Sequence, residues 1–553
     1  MGASARAFIL SLGFMLQTRI IQNAPSSRKI TSSGKHRLAT DGGNWYNFIC
    51  PSERDEQGAQ EEYMVLPFLA QVPATAQAAW LEKFTAIVDQ VDAWIWGWPL
   101  IIVLLATGIL YTIWLRGLPI RFLLHGFRHT FRHEADAEGE VSNFASLCTA
   151  LATTIGTGNI VGVATAIGTG GPGALFWMEV AAILGMATKY AEGLLAIRYR
   201  EVTPDGRVIG GPFQYIEKGM GRRWRPLAIA FSVFGIAAGL LGLGTLVQVN
   251  GITSAVLRVF DPAFNPSDPA TGVALFGTTY SIYAIGAGAI VTIAVAAVIV
   301  GGLKRIATVA SIIVPFMAVF YMLTCLVLIL GHLDALPRAC LDIFRGAFNP
   351  AAVGGGAIGT FFVALQRGVS RGIFSNEAGL GSAPIASAVA QTREPVHQGL
   401  ISMTGVFLDT TIVCTLTGLA IVVMNTWRPE LGLQGVDITL AAFAQGLPFG
   451  GRVAEIVLMI SLAFFAYTTT LGWTFYSEKC LEYLIGIRRR WPVTLLRALF
   501  IVAVAIGPYF TVSVVWGIAD IFSGLMAFPN LVALIALSPV VAKCTRDYFS
   551  NKK

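Results

Sequence analysis

Charged residues are scarce in this chain: Asp, Glu, Lys and Arg make up 13% of its 553 residues, where soluble domains carry about 25%. That excludes an ordinary soluble fold. A hydrophobic content of 55% and a mean hydropathy of +0.65 point to a polytopic membrane protein. Cysteine is also sparse: the seven present include no C-x-x-C pair, which removes the usual zinc and redox motifs. Cys148, Cys325, Cys414 and Cys480 fall within or at the ends of apolar runs, as packing residues. None of the six histidines lies well inside such a run, which argues against a buried Ser/His or His-metal enzyme. The net charge of +7 does not indicate nucleic acid, because the basic residues cluster in short segments between apolar runs.

Long apolar runs are what the chain has in quantity. Eleven of about 18 residues or more are read at roughly Trp98–Leu115, Phe144–Ile167, Ala174–Ile197, Leu227–Val249, Ile282–Gly302, Ala307–Leu330, Gly355–Ile373, Leu400–Val423, Val453–Phe475, Leu495–Val515 and Trp516–Val541. Lys and Arg gather in alternate loops, at Arg116 to Arg132, Arg198 to Arg225, Lys304 and Arg305, Arg488 to Arg490, and Lys543 and Arg546. The positive-inside rule then predicts an N-terminus outside and a cytoplasmic C-terminus. Before the runs lies a polar, irregular stretch holding two weak targeting signals. These are the apolar run Ala7–Leu16 and the segment Met64–Ala70 with the small residues Ala74–Ala78 behind it. A true start near Met64 would explain both. The expected divisions are an extension over 1–93, an extra first span and cytoplasmic loop over 94–142, two halves over 143–335 and 336–545, and a tail over 546–553.

Thr153-Thr-Ile-Gly-Thr-Gly-Asn159 interrupts the second run with glycines and hydroxyls, and the seventh runs into Ser375-Asn-Glu-Ala-Gly-Leu-Gly-Ser382. Backbone broken at membrane depth is tolerated only where protein buries it or it lines a cavity. After the first span the runs form two groups of five, each opened by an interrupted member. Five is odd, so the groups insert with opposite polarity. An inverted repeat opened by broken helices points to a transporter with its site at the repeat interface.

Several motifs allow two readings. Gly158 and Gly162 form a G-x-x-x-G packing pair, but Thr157 and Asn159 add polar groups that packing does not need. Thr468-Thr-Thr-Leu-Gly-Trp473 can bond back to the preceding turn or supply oxygen ligands to Na⁺. Arg367, Arg371 and Glu377 lie near the membrane, where Arg can snorkel from a helix end. Lys189 and Glu192, three apart on a helix, suggest an ion pair, and Asp409 and Glu179 are candidate proton carriers. Gln248, at the end of its run, is the better substrate-site candidate. His125, His129 and His133 suggest an amphipathic cytoplasmic helix at anionic lipid.

Taken together these segments resemble the alanine/glycine:cation symporter family, the sodium:alanine symporters. The matching stretches are Ala150 to Ala166, Gly170-Gly-Pro-Gly-Ala-Leu-Phe-Trp-Met178, Gly185-Met-Ala-Thr-Lys-Tyr-Ala-Glu192, Arg371 to Pro384, and Ala527-Phe-Pro-Asn-Leu531. The resemblance covers about Trp94 to Phe549. Glu179 departs from it where the family usually has Trp, and Gly-Pro-Phe-Gln-Tyr215, expected in a cytoplasmic loop, replaces a more usual Gly-Pro-Met-Tyr-Tyr.

The resemblance implies an all-α polytopic protein of eleven transmembrane helices, a leucine-transporter-like 5+5 inverted repeat with one extra N-terminal helix, in a bacterial inner membrane. It implies a substrate site at Gly156, Thr157, Gly158, Asn159, Gln248, Ser375, Asn376, Thr469 and Trp473. A sodium site would use the backbone oxygens of Ala152 and Ile155 with the hydroxyls of Thr469 and Thr470. The expected activity is alternating-access symport of alanine or glycine with Na⁺, without a cofactor and without enzymatic chemistry. Proton coupling, or an amino-acid-gated channel or sensor, are the alternatives left open.

Overall fold

The computed structural model describes residues 74–132, 137–265, 268–275, 278–348, 357–510 and 512–550. Ala7–Leu16, Met64–Ala70 and His133 lie outside them. The chain divides into two compact units, residues 1–84 and 85–553. Of the first, only the opening of helix α1 (Ala74–Ile95) is described. Among its described residues the second is helical apart from loops and two short antiparallel hairpins, Glu201–Val202 with Val208–Ile209 and Val273–Leu275 with Thr278–Tyr280.

Helix α2 (Trp98–Trp114) is followed by the short α3 (Leu123–Thr130). Next come α4 (Asn143–Thr154), a π-helical turn Gly158–Gly162 and α5 (Val163–Gly170). Then follow α6 (Gly173–Tyr199), α7 (Arg225–Leu241), α8 (Leu246–Phe260), α9 (Ile282–Ile299), α10 (Gly302–Gly331) and α11 (Leu336–Phe348). The second part of the unit holds α12 (Ala357–Asn376), α13 (Ala383–Ala388) and α14 (Pro395–Val406), which continues through a π-helical stretch, Phe407–Cys414, into α15 (Thr415–Val423). It closes with α16 (Val436–Gly446), α17 (Gly451–Ile485), α18 (Trp491–Ile506), α19 (Val512–Ala536) and α20 (Ser538–Ser550).

Among the described residues nine helices are long and apolar enough to cross a membrane, or ten if the bent pair α4–α5 counts as one span. Ten of the expected spans correspond to these, and the eleventh is the helix α12, which carries Gln366, Arg367 and Arg371 and does not reach the same apolarity. The first membrane-grade stretch runs 83–114, so it begins inside the region expected to be a non-membrane extension.

Helix α6 is central: 83% of its most apolar stretch is buried, against 28% for α9. Polar residues on α6 are therefore internal, while Ile290, Ile293, Ile312, Phe316 and Leu323 on α9 and α10 face outward as an apolar belt. α6 packs chiefly on α14 and α12. The α6–α14 crossing is close because it uses small residues: a Cβ on Gly193 would lie 2.3 Å from Ser402 Oγ, and one on Gly399 would lie 2.8 Å from the Tyr190 carbonyl oxygen.

Two connecting segments pack against the helices. His125 is exposed, as an amphipathic helix would have it, but His129 is buried and stacks on His397 with ring centroids 4.0 Å apart, because α3 packs on α14. The Pro212–Tyr215 segment is also buried, and the Tyr215 hydroxyl donates to Asn530 on α19. It lies in the connection between α6 and α7, packed against the helices.

Candidate functional site

Three β-branched residues, Thr153 to Ile155, followed by Gly156, end α4. Ile155 leaves the helix in extended conformation (φ −76°, ψ 92°), and the chain bends by 50° before α5. The freed groups find side-chain partners. Gly156 N donates to Asn159 Oδ1 at 2.8 Å and Thr157 N to Gln248 Oε1 at 3.3 Å. The Thr157 hydroxyl is buried with no hydrogen-bond partner among the described residues, which leaves it available to a bound ligand.

Gln248 reaches Thr157 through an interruption that sequence reading does not anticipate. Leu227–Val249 was expected as one span ending at Gln248, whereas the helical segment extends from Arg222 to Phe260 and breaks between α7 and α8 at 242–245. Gln248 lies in the first turn of α8, and its Nε2 donates to the freed Leu243 carbonyl at 2.9 Å. Gly244 allows this approach: a Cβ there would sit 2.5 Å from Trp473 Cβ.

The other interruption follows α12. Glu377 takes a left-handed conformation (φ 57°), as do Gly379 and Gly381, and the turn is held by buried carboxylates. Glu192 Oε1 accepts from the amides of Gly379 and Gly381, both at 3.2 Å, and from Asn530 Nδ2 at 2.7 Å. Glu377 accepts from Trp473 Nε1 at 3.1 Å and from the Ser382 hydroxyl. The expected Lys189–Glu192 ion pair does not form within 4 Å. Glu192 is committed to the turn, and Lys189, with Thr154 and Asn376, lines a cavity of about 20 Å³, room for about one water.

Asp409, on the π-helical stretch beyond α14, ties the first and last interruptions together. Its carboxylate accepts from Asn159 Nδ2 at 2.8 Å, Ser375 Oγ at 2.9 Å and Thr410 Oγ1 at 2.7 Å. Asn376 Nδ2 donates to Thr410 Oγ1 at 3.1 Å. Asn159, Ser375, Asn376, Asp409 and Thr410 are all buried. A buried carboxylate is tolerable where donors satisfy it, and here three do.

Thr469 completes the cluster from α17. Its hydroxyl bonds back to the Phe465 carbonyl at 2.9 Å and lies 3.4 Å from the Ile155 carbonyl. Thr468 and Thr470 also bond back, to Phe464 and Ala466 at 3.1 Å each. The Thr470 hydroxyl makes no hydrogen bond to Ile155 or to Ala152, and Ala152 is buried in the apolar core with Ile155. Of the expected sodium ligands the structure thus brings together Thr469 and Ile155. Of the expected substrate residues, Gly156, Thr157 and Asn159 join with Gln248, Ser375, Asn376 and Thr469 through direct or shared contacts. Gly158 packs on Phe374 and Ser375, and Trp473 is turned to Glu377.

A Cβ on Gly156 would lie 2.5 Å from Thr469 Oγ1 and 3.4 Å from Gln248 Oε1. Overpacking of this kind costs about 1–3 kcal/mol. Gly156→Ala is therefore expected to lower the unfolding temperature in detergent, and an unchanged unfolding temperature would show that this close approach imposes no packing constraint.

Sequence reading missed the central place of Asp409, seen only as a proton carrier, and the roles of Glu377, Glu192, Thr410 and Asn530. The available signal was their being polar side chains inside apolar runs or, for Glu377, just beyond one.

The chain has clear relatives. A family model described as the sodium:alanine symporter family matches residues 81–553. An uncharacterized transporter of Haemophilus influenzae is 50% identical over 470 residues, spanning 85% of this chain and 97% of that protein. The sodium/alanine symporter AgcS of Methanococcus maripaludis is 43% identical over 478 residues, spanning 85% and 98%. The amino-acid carrier protein AlsT of Bacillus subtilis is 34% identical over 472 residues, spanning 85% and 93%. With relatives matched over nearly their whole length and helices of membrane length throughout, the chain belongs to the sodium:alanine symporter family of membrane transporters.

Proposed function

We propose that this protein carries small neutral amino acids, alanine or glycine, into the cell together with Na⁺ by alternating access. The observation that carries the reading is the convergence of three helix interruptions, at Ile155–Thr157, 242–245 and Glu377–Ser382, on one buried polar cluster. The relative named a sodium/alanine symporter supports the ion and the substrate class.

In this reading Na⁺ is held between the Ile155 carbonyl and the Thr469 hydroxyl, with Ala152 and Thr470 joining when the first interruption closes. The amino acid lies against Gly156 to Asn159, Gln248 and the Ser375–Asn376 end of α12. Thr157, whose hydroxyl has no partner of its own, donates to the carboxylate, and Trp473 bounds the side-chain space. Ion and substrate share the first interruption, so each completes the other's site, and such coupling is reciprocal. The fold reading that goes with it is eleven membrane helices, α12 among them, in two inverted halves of five after one extra helix. The N-terminus is outside and the C-terminus in the cytoplasm, in a bacterial inner membrane.

Proton coupling is the second reading. It is favoured by Asp409 in the cluster and by Glu179, which accepts from Thr415 at 2.8 Å; neither forms an ion pair within 4 Å among the described residues. One experiment separates the two. Proteoliposomes loaded for an inward gradient should concentrate labelled L-alanine with external Na⁺ and fail to do so with choline at fixed pH. Undiminished uptake in choline would overturn sodium coupling, and equilibration without accumulation would indicate a channel.

A further inference from the structure

A second polar region lies away from the three interruptions, where the end of α17 meets the starts of α10 and α18. It encloses a cavity of about 540 Å³ lined by six cationic side chains and three carboxylates. All three carboxylates are already paired. Glu140 meets Lys479 at 3.1 Å, Glu482 meets Lys479 at 3.2 Å and also Arg207, and Glu478 meets Arg497 at 2.7 Å. Lys304, Arg489 and Arg490 form no ion pair among the described residues, so the cavity keeps three uncompensated positive charges.

The backbone adds to the same sign. The N-termini of α10 and α18 both open on this cavity, through Leu303 and Lys304 in one case and Val493 and Thr494 in the other. Neither helix has a side-chain cap, so the first-turn amides, at Gly302 to Lys304 in α10 and at Trp491 and Val493 in α18 where Pro492 has none, lack a side-chain acceptor and suit an anion. Solvated surface lysines and arginines are ordinary, and as topology signals they need no cavity. Here the spare charges surround a concave space at which two uncapped helix starts converge.

From this geometry we propose that the cavity binds a phosphate group, as a phosphate mono- or diester, with Lys304, Arg489 and Arg490 neutralising it and the two helix starts donating to it. The rim has the character expected for a phospholipid source, because Val300, Trp491 and Leu495 beside it are exposed apolar residues on membrane-length helices. A headgroup bound in the cavity would then have its acyl chains along α9 and α18. The proposal rests on the chain's crossing a membrane and is independent of which ion or amino acid is carried.

The test uses the full-length protein in neutral detergent. Thermal unfolding is followed with phosphatidylglycerol, with phosphatidylcholine and with inorganic phosphate, and native mass spectrometry reports retained lipid. The comparison protein is the triple variant Lys304→Ala, Arg489→Ala, Arg490→Ala. These side chains are exposed, so the variant should match the wild type in unfolding temperature without additive. Phosphatidylglycerol should stabilise the wild type more than phosphatidylcholine does. Its affinity should fall about a hundredfold in the triple variant, at about 1 kcal/mol per basic residue near an anionic surface, and recover when Arg489 and Arg490 are replaced by Lys instead. Stabilisation by inorganic phosphate, also lost in the triple variant, would identify free phosphate as the source. Equal responses of wild type and triple variant to every additive, or no response of the wild type, would overturn the proposal.

Discussion

Replacement of Asn159 by alanine is expected to abolish gradient-driven alanine uptake. The side chain makes contacts in two directions. Its oxygen accepts the amide of Gly156 at 2.8 Å, and its nitrogen donates to the Asp409 carboxylate at 2.8 Å and to the Asp409 carbonyl at 3.2 Å. Alanine removes these contacts and leaves a buried carboxylate short of a donor. The bond to the carboxylate contributes about 1.5–3 kcal/mol and the two to backbone groups about 0.5–1.5 kcal/mol each, so together a loss of about a hundredfold or more in uptake efficiency is expected. The shape of the first interruption depends on the Gly156 contact, and its attachment to the α14–α15 segment depends on the Asp409 contact. Asn159→Ala should therefore fail even at saturating Na⁺ and alanine. Initial rates of labelled L-alanine uptake into proteoliposomes, at matched reconstitution and with unfolding temperature as a control for folding, decide it. Wild-type uptake would remove Asn159 from the site.

This dependence on paired contacts explains how far the site was legible beforehand. Gly156 and Gly158 inside an apolar run are a local contradiction, and local contradictions are visible in a sequence. So is the Gly-rich turn after Asn376. The interruption at 242–245 was not visible, because Leu240-Leu-Gly-Leu-Gly-Thr245 reads as continuous apolar helix, and only packing against Trp473 and Ala519 shows why the chain departs from helical form there. Lys189 and Glu192 show the same limit from the other side. Their spacing fits an ion pair, yet the free amides of Gly379 and Gly381, distant in sequence, take the carboxylate instead. Asp409 was recognisable as an expensive residue in an apolar run, but its three donors come from two other elements and its own neighbour. The threonines before Trp473 satisfied both readings at once: all three bond back along α17, and Thr469 alone also approaches Ile155. The helices themselves were legible because apolar length is a property of single segments. Partnership between segments is not.

The largest expected effect on stability lies at Arg371 and Asp520. The guanidinium donates to both carboxylate oxygens, at 3.2 and 2.7 Å, in the bidentate form that suits Arg and carboxylate. It also lies over the rings of Phe374 and Trp516, 5.4 and 5.2 Å from their centroids, while the Asp520 carbonyl accepts from Trp96 Nε1 at 2.8 Å. The pair thus joins α12, α19 and the segment leading into α2. Arg371 does not snorkel to a helix end: its side chain is 12% exposed and that of Asp520 7%. Breaking a buried pair by removing one partner costs about 3–5 kcal/mol, because the remaining charge is left uncompensated, whereas replacing both can be close to neutral. Arg371→Leu and Asp520→Leu should each lower the unfolding temperature strongly. The double variant should be more stable than the sum of the two losses predicts, and that non-additivity is the coupling between partners. Thermal unfolding of the four proteins in one detergent measures it. Additive losses would show that the two side chains act separately, and the connection of α12 to α19 would then rest on the ring contacts alone.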